Sequence, residues 1–283
     1  MIRIVSDSTC DLSPELLAEY QVSLLPLSII LDEQAYLDGS GITPEEIYAW
    51  SDSQHASPKT AAFSLEQAID CFRPLLGTGD ELICFAISET MSASAQVMRL
   101  AAAELGAEDR VHVVDSQSLS TGVGLLVIEA ALMARQGKSA ADILTAVEAL
   151  RPKVRASFVV DTLTYLHRGG RCSGLAAMMG GALRLHPRIS VENGKMQPGK
   201  KYRGSMDRVI RQYVTDMRDD LLAAKADRVF ITHSGCPDGQ VAEVRAWLEE
   251  LHHFDAIHVT RAGGVISSHC GPGTLGVLFI DGR

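Results

Sequence analysis

Positive charge is in short supply: 26 Lys and Arg stand against 35 Asp and Glu, leaving a formal net charge of −9. A nucleic-acid partner needs a basic face, so that class is excluded as the main target. Long apolar runs are missing too, so no membrane span is expected, and the opening "MIRIVSDST" lacks the layout of a secretory signal. Aromatic residues make up only 5% of the chain. The six cysteines (Cys10, Cys71, Cys84, Cys172, Cys236, Cys270) show no C-x-x-C spacing. They read as reduced thiols of a cytoplasmic protein. His252-His253 and the pair His233 and Cys236 fall short of a four-donor zinc pattern, so no metal is expected.

What is present is a rhythm. Short apolar runs such as "IRIVS", "ELICFAIS", "RVHVVDS", "ASFVVD", "DRVFIT" and "FDAIHVT" end in polar residues. Between many of them lie stretches of helical periodicity, among them "SASAQVMRLAAAEL", "TGVGLLVIEAALMARQG" and "PDGQVAEVRAWLEELHH". Alternation of this kind predicts an α/β fold with a parallel sheet. Near residue 153 the rhythm changes. "PRISVENGKMQPGKKYRG" reads as a hairpin turning at Asn193-Gly194, because both positions tolerate positive φ. The expected architecture is therefore two α/β domains, 1–152 with a parallel sheet and 153–283 with a mixed sheet, and a ligand at or near their interface. In parallel α/β folds ligands bind beyond the carboxyl ends of the strands. Ser6-Asp7-Ser8-Thr9, Ser88 and Asp115-Ser116 occupy such ends.

The closing stretch "SSHCGPGTLGVLFIDGR" contains Gly271, Gly273 and Gly276 at G-x-G-x-x-G spacing. A dinucleotide site needs a helix after those glycines to hold the pyrophosphate at its N-terminus. The next residues, "TLGVLFI", read instead as a buried strand, and Pro272 removes a backbone N–H. The glycines are therefore expected to let the backbone pass close to something bulky beside His269.

Four further stretches offer candidate chemistry. "SDSTCDLSPELL" supplies Ser13 or Asp11 as an N-cap, and "SPKTAAFS" places Thr60 in a context unfavourable to regular structure. "ISETMSASAQV" puts Ser92 at a helix start, where it is equally readable as a cap or as part of an anion site. A hydrolase using Ser92, His269 and an aspartate is the enzymatic alternative, although "TMSAS" is no nucleophile elbow. In "YLHRGGRCSG", Gly169-Gly170 reads as a helix end, leaving Arg171 on a turn. With Lys200, Lys201 and Arg203 it forms a basic patch on an acidic chain, suited either to an acidic partner or simply to solvent.

In order along the chain, "IVSDSTCDL" (Ile4–Leu12), "PKT" (Pro58–Thr60) and "AISETMSASAQ" (Ala86–Gln96) are followed by "VVDSQSLSTGVG" (Val113–Gly124) and "TLTYLHRGGR" (Thr162–Arg171). "KKYRG" (Lys200–Gly204) and "SHCGPGTLGV" (Ser268–Val277) complete the set. Over its whole length the sequence resembles the DegV family, the FakB-type carriers that hold a fatty acid for bacterial fatty acid kinase. The resemblance implies two α/β domains enclosing one long-chain fatty acid, with no cofactor and no catalytic residue in the carrier itself. It implies that Thr60 and Ser92 donate hydrogen bonds to the carboxylate and that His269 lies close to it. Ala61 and Gly271 fall among the implied ligand-binding residues. Arg171 and Arg203 match positions implied in contact with the kinase partner.

The sequence departs from the family pattern after Thr60. Ala61-Ala62-Phe63 stands where Ser-Gln-Pro is usual, which removes a hydroxyl and puts an aromatic beside the expected head-group. Arg184 and His186 stand where Asn and Lys are common. Energetics fit a lipid ligand: each buried methylene contributes about 0.8 kcal/mol, while an unpartnered buried carboxylate would cancel much of that gain. The expected cleft is therefore apolar along its depth and polar at its mouth, where Thr60, Ser92 and His269 converge.

Overall fold

A computed structural model describes residues 1–77, 79–172 and 185–283. Along the chain the strands are β1 (Ile2–Asp7), β2 (Val22–Leu25), β3 (Ser28–Leu31), β4 (Gln34–Leu37), β5 (Lys59–Ala61), β6 (Glu81–Ala86) and β7 (Val111–Asp115). They continue as β8 (Val154–Val159), β9 (Leu185–Glu192), β10 (Lys195–Arg203), β11 (Val229–His233), β12 (Ile257–Arg261) and β13 (Leu275–Ile280). The described helices are α1 (Pro14–Tyr20), α2 (Pro44–Gln54), α3 (Leu65–Leu76), α4 (Ser94–Glu104), α5 (Thr121–Arg135) and α6 (Ala140–Leu150). After them come α7 (Thr164–Gly169), α8 (Met206–Asp216), α9 (Arg218–Leu222), α10 (Asp238–Glu250) and α11 (Gly264–Cys270).

A four-stranded sheet runs β2-β1-β6-β7 with every pair parallel, as the alternation predicts. A six-stranded mixed sheet, β10-β9-β8-β13-β11-β12, is built from strands that all lie after residue 153. Its hairpin turns at Asn193 (φ 49°) and Gly194 (φ 77°), between the paired residues Glu192 and Lys195. A third sheet, β4-β3-β5, is antiparallel and was not expected from the sequence. It places Thr60 in a strand opposite Ile29, whereas the sequence around Thr60 suggested irregular chain. Pairing to a partner distant in the chain outweighs the weak local preference of "KTA".

Helix α5 joins the two larger sheets. It packs on β1 and β6 of the parallel sheet and on β8 and β13 of the mixed one. Its sequence is apolar on nearly every side, the pattern of a helix with no solvent face. Val123, Leu125, Leu126, Val127 and Ile128 are fully buried and share one core with Ile4, Phe85, Val154 and Leu278. Its one acidic residue, Glu129, is held by Lys225 at 2.8 Å and by Arg228.

Local signals explain several ends. Ser13 caps α1 by accepting the Leu16 amide, so the cap is Ser13 and not Asp11. Ser64 caps α3 in a capping box with Gln67. Gly170, at φ 68°, closes α7 as the double glycine predicts. Arg184 lies outside the described residues, and His186 is buried with Nδ1 2.9 Å from the Val160 carbonyl.

Candidate functional site

Helix α11 is short, and both of its ends are tied by distant parts of the chain. At its start the Gly263 amide donates to Asp11 Oδ1 (2.8 Å) and the Gly264 amide to Asp38 Oδ1 (2.7 Å). Asp38 Oδ1 also takes the Val265 amide at 3.4 Å, while its other oxygen accepts from Ser8 Oγ at 2.8 Å. Asp11 Oδ2 accepts from Ser120 Oγ. Two acidic side chains thus satisfy backbone N–H groups that no earlier turn of α11 can reach.

Burial carries a cost for these acids. Desolvation, with Ser120 and Gly263 acting against it and Asp38 and Asp7 reinforcing it, pushes Asp11 up to about 8. Desolvation likewise pushes Asp7 up to about 6, and it raises Asp38. Asp7 receives the Ile87 amide at 2.9 Å and both the amide and the hydroxyl of Thr9.

At the other end of α11, His269 Nε2 lies 2.8 Å from Thr60 Oγ1. Burial, then the neighbouring Arg171 guanidinium, holds the imidazole down to about 4, so it is neutral at pH 7. Its Nδ1 is buried without a partner, pressed against Gly169, where an added Cβ would come within 2.4 Å. Placing the proton on Nε2 lets the ring donate to Thr60 Oγ1 and leaves the threonine hydroxyl proton free for an incoming acceptor. The other tautomer would strand a buried N–H and spend that hydroxyl on the ring.

Thr60 and His269 stand in the wall of a cavity of about 270 Å³. The cavity draws its lining from both sides of residue 153: Ile87, Met91 and Leu119 from one part, and Phe158, Leu166 and Met196 from the other. Ser92, Ala61 and Arg171 also line it, and Arg171 is exposed, with Nη1 2.7 Å from the Gly169 carbonyl. The residues carried over from the sequence therefore share one pocket, with two exceptions. Gly271 is not part of the lining: its backbone, at φ 75°, passes the ring of Tyr165, which an added Cβ would meet at 2.5 Å. Tyr165 is thus a bulky neighbour of the glycine turn. Arg203 is exposed at the end of β10 and lies outside the pocket, and nearby Lys200 pairs with Asp216 at 2.6 Å.

Further details differ from the sequence reading. Ser92 does not cap α4. The cap position is Ala93, and Ser92 Oγ accepts the Ser94 amide at 3.3 Å. Phe63 is buried in the core with Leu25 and Ile29 and does not border the pocket, which meets Ala61 and Ala62. Ser6–Thr9, Ser88 and Asp115-Ser116 are absent from the lining, and Ser88, for one, donates to the Gly194 carbonyl. The pocket does sit beyond the ends of β6 and β7, but Ile87, directly after β6, and Leu119-Ser120, four and five residues after β7, form its wall.

Polar side chains are not confined to the Thr60 corner, since Ser120, Thr232, Ser234 and Thr274 also line the cavity. Their hydroxyls are engaged within the protein. Thr232 lies 2.7 Å from Thr121 Oγ1 and 2.9 Å from Thr260 Oγ1, Thr274 donates to the Cys270 carbonyl, and Ser234 to the Gly271 carbonyl. The apolar wall itself carries no motif. It was invisible to sequence reasoning, as was the role of Asp38.

The geometry does not assemble a hydrolytic triad. His269 faces Thr60, Ser92 Oγ lies 2.9 Å from Ser94 Oγ, and among the described residues no carboxylate reaches His269 Nδ1. The histidines weighed as ligands have other duties. His233 Nδ1 accepts the Cys236 amide, and His253 Nε2 lies 2.8 Å from the Ala224 carbonyl. Among the described residues no helix is long and apolar enough to cross a membrane.

Comparison with known proteins places this architecture. A family model described as "Uncharacterised protein, DegV family" matches residues 1–282. A DegV domain-containing protein of Deinococcus radiodurans is 33% identical over 284 residues, covering 98% of each chain. Among solved structures, a DegV family protein from Thermus thermophilus, described for its fatty acid binding, is 32% identical with a TM-score of 0.91 over 99% of both chains. A stearic acid-binding protein from Eubacterium ventriosum is 27% identical with a TM-score of 0.86, covering 100% of this chain and 99% of its own.

Proposed function

This chain belongs to the DegV family, and we propose that it binds one long-chain fatty acid and presents the carboxylate to a fatty acid kinase. The observation carrying this reading is the Thr60–His269 pair in the wall of a cavity whose other lining is more apolar than polar, with Leu, Ile, Met, Phe, Val and Ala together outnumbering the hydroxyl-bearing and charged residues. The fatty acid binding described for the Thermus protein and the stearic acid named for the Eubacterium protein support the binding part of this reading.

In this reading the two parts, 1–152 and 153–283, close over the acyl chain. The Thr60 hydroxyl donates to one carboxylate oxygen, Ser92 donates to the head-group, and neutral His269 orients Thr60 from behind. Arg171 adds positive charge at the exposed end. The carboxylate stays ionised and keeps a lone pair for attack on the γ-phosphorus of kinase-bound ATP. The new bond joins carboxylate oxygen to phosphorus, and ADP leaves with the electrons of the broken P–O bond. The carrier supplies positioning and exclusion of water. Exposed Arg171 and Arg203 are the docking groups for the kinase, where charge sets encounter rate and orientation.

Denaturing the purified protein and analysing the extract by mass spectrometry should release a fatty acid, and stripped protein should rebind it at one site. An empty extract together with no rebinding overturns the proposal. With a bacterial fatty acid kinase and ATP, the loaded protein should yield acyl-phosphate, and Arg203→Ala should slow that step without weakening fatty acid binding.

A further inference from the structure

A second cavity opens beside the first half of strand β8, and it differs in chemistry from the first. It is lined by Arg151, Arg155 and Arg188, with Gln117, Ser118, Ser190 and Asn193 among the polar residues between them, and it encloses about 390 Å³. Its origin is visible in the strand register. β8 and β9 pair only through Ser157–Val159 and Arg188–Ser190. Before Ser157 on β8 and beyond Ser190 on β9 the ladder stops, and Val154, Arg155, Ala156, Val191 and Glu192 line the gap where the strands part.

The three guanidinium groups are not equally committed. Arg151 pairs with Glu148 and donates to the Asp115 carbonyl, and Arg155 pairs with Asp281 at 2.8 Å. Arg188 has no salt bridge among the described residues, although its charge acts on the Asp216 carboxylate and helps to hold it below its ordinary value. Its guanidinium lies over the Tyr213 ring at 5.8 Å, and its Nε is buried without a hydrogen-bond partner. Ser118 Oγ, against Gly122 of α5, is also buried and unpartnered. Of the acidic groups, Glu192 alone lines the cleft, and it is exposed. The charge of Arg188 is partly offset by Asp216, but its buried Nε–H still lacks an acceptor, and an anion in the cleft would supply one.

We propose that this cleft binds the phosphate group of a small phosphorylated molecule, with Arg188 as its principal contact and Arg151 and Arg155 as flanking charge. Guanidinium forks match the oxygens of a phosphate in pairs, and the strand gap leaves room for more than the bare ion. The assignment does not depend on what fills the acyl pocket, because Gln117-Ser118 face one cavity and Leu119-Ser120 the other.

Calorimetric titration of the full-chain protein tests the idea, with inorganic phosphate in one arm and glycerol phosphate in the other at matched ionic strength. Saturable one-site binding is expected in at least one arm, weakened tenfold or more by Arg188→Gln and less by Arg151→Gln. Circular dichroism and fatty acid binding should be unchanged in both variants. Binding in both arms identifies phosphate alone as sufficient, and binding only of glycerol phosphate identifies an organic phosphate. Absence of saturable heat in both arms overturns the proposal, as does undiminished affinity in Arg188→Gln. Ser190→Glu, which adds a carboxylate to the cleft, provides a second variant: it should abolish the heat, and full retention of binding counts against the site.

Discussion

Helices α5 and α11 both cross between the two parts of the chain, but they are held there by opposite means. α5 is gripped on all sides by apolar side chains from two sheets, a non-directional attraction that grows with buried area. α11 is short, contains Gly264, Ser267 and Ser268, and is held at its start by Asp11 and Asp38. The first arrangement builds a scaffold, and the second fixes the position of one imidazole. A site that must orient a single hydrogen bond is better served by directional groups than by grease.

The most damaging way to probe this contrast is to hollow out α5. Ile128→Ala removes a fully buried side chain and should cost about 2–5 kcal/mol of stability. Urea unfolding would show it as a lower midpoint with the slope nearly unchanged. Fatty acid affinity of the still-folded fraction should hardly move. A proportionate fall in affinity would break the division between scaffold and site.

Removing the carboxylate of Asp38 is the complementary change. Asp38→Ala leaves the Gly264 and Val265 amides and the Ser8 hydroxyl short of an acceptor, at a cost of roughly 2–4 kcal/mol. Unlike the α5 variant, it should weaken fatty acid binding as well, because α11 carries His269. Asp38→Asn keeps one acceptor oxygen and should recover part of both losses. If Asp38→Ala destabilises the fold yet binds fatty acid normally, α11 is not positioned from its start.

Sequence reasoning reached the two regions unequally. α5 was legible as a long stretch of helical periodicity between apolar runs, and the parallel strands because each apolar run ends in polar residues. Thr60, Ser92 and His269, which the structure brings to one cavity wall, were singled out by short motifs. The strand that carries Thr60 was not, since β5 has only three residues and gains its order from β3. Asp38 gave no signal because its partners, Gly264 and Val265, lie more than two hundred residues away in the chain. The pocket wall was hidden for a related reason: Ile87, Phe158 and Leu166 look like any core residues until packing leaves a gap among them.

A smaller effect is the pH dependence that the buried acids impose. Asp11 holds its proton up to about pH 8 in the fold but releases it near the ordinary value of 3.8 when unfolded. Between those limits the folded state binds more protons, so stability falls as pH rises and this contribution is gone above pH 8. His269 acts in the opposite sense between about 4 and 6.5, where the unfolded chain takes up the proton and stability rises with pH. Asp7 follows the sign of Asp11 up to about pH 6. The interval from 6.5 to 8 therefore isolates Asp11 from both. Thermal unfolding of Asp11→Asn should be flatter than that of the parent there, and parallel curves would show that Asp11 is ionised in the fold.

The gentlest change separates binding from stability altogether. Thr60→Val keeps the shape of the side chain and removes the hydroxyl that stands between His269 and the proposed carboxylate. One hydrogen bond to a charged group is worth about 1.5–3 kcal/mol, so fatty acid affinity should fall about ten- to a hundredfold. Thermal stability without ligand should shift far less, since Thr60 is only half-buried and its strand pairing with Ile29 runs through the backbone. A fatty alcohol of equal length carries no charge to lose and should be nearly indifferent to the substitution. Equal losses for acid and alcohol would mean that Thr60 shapes the wall and does not read the head-group.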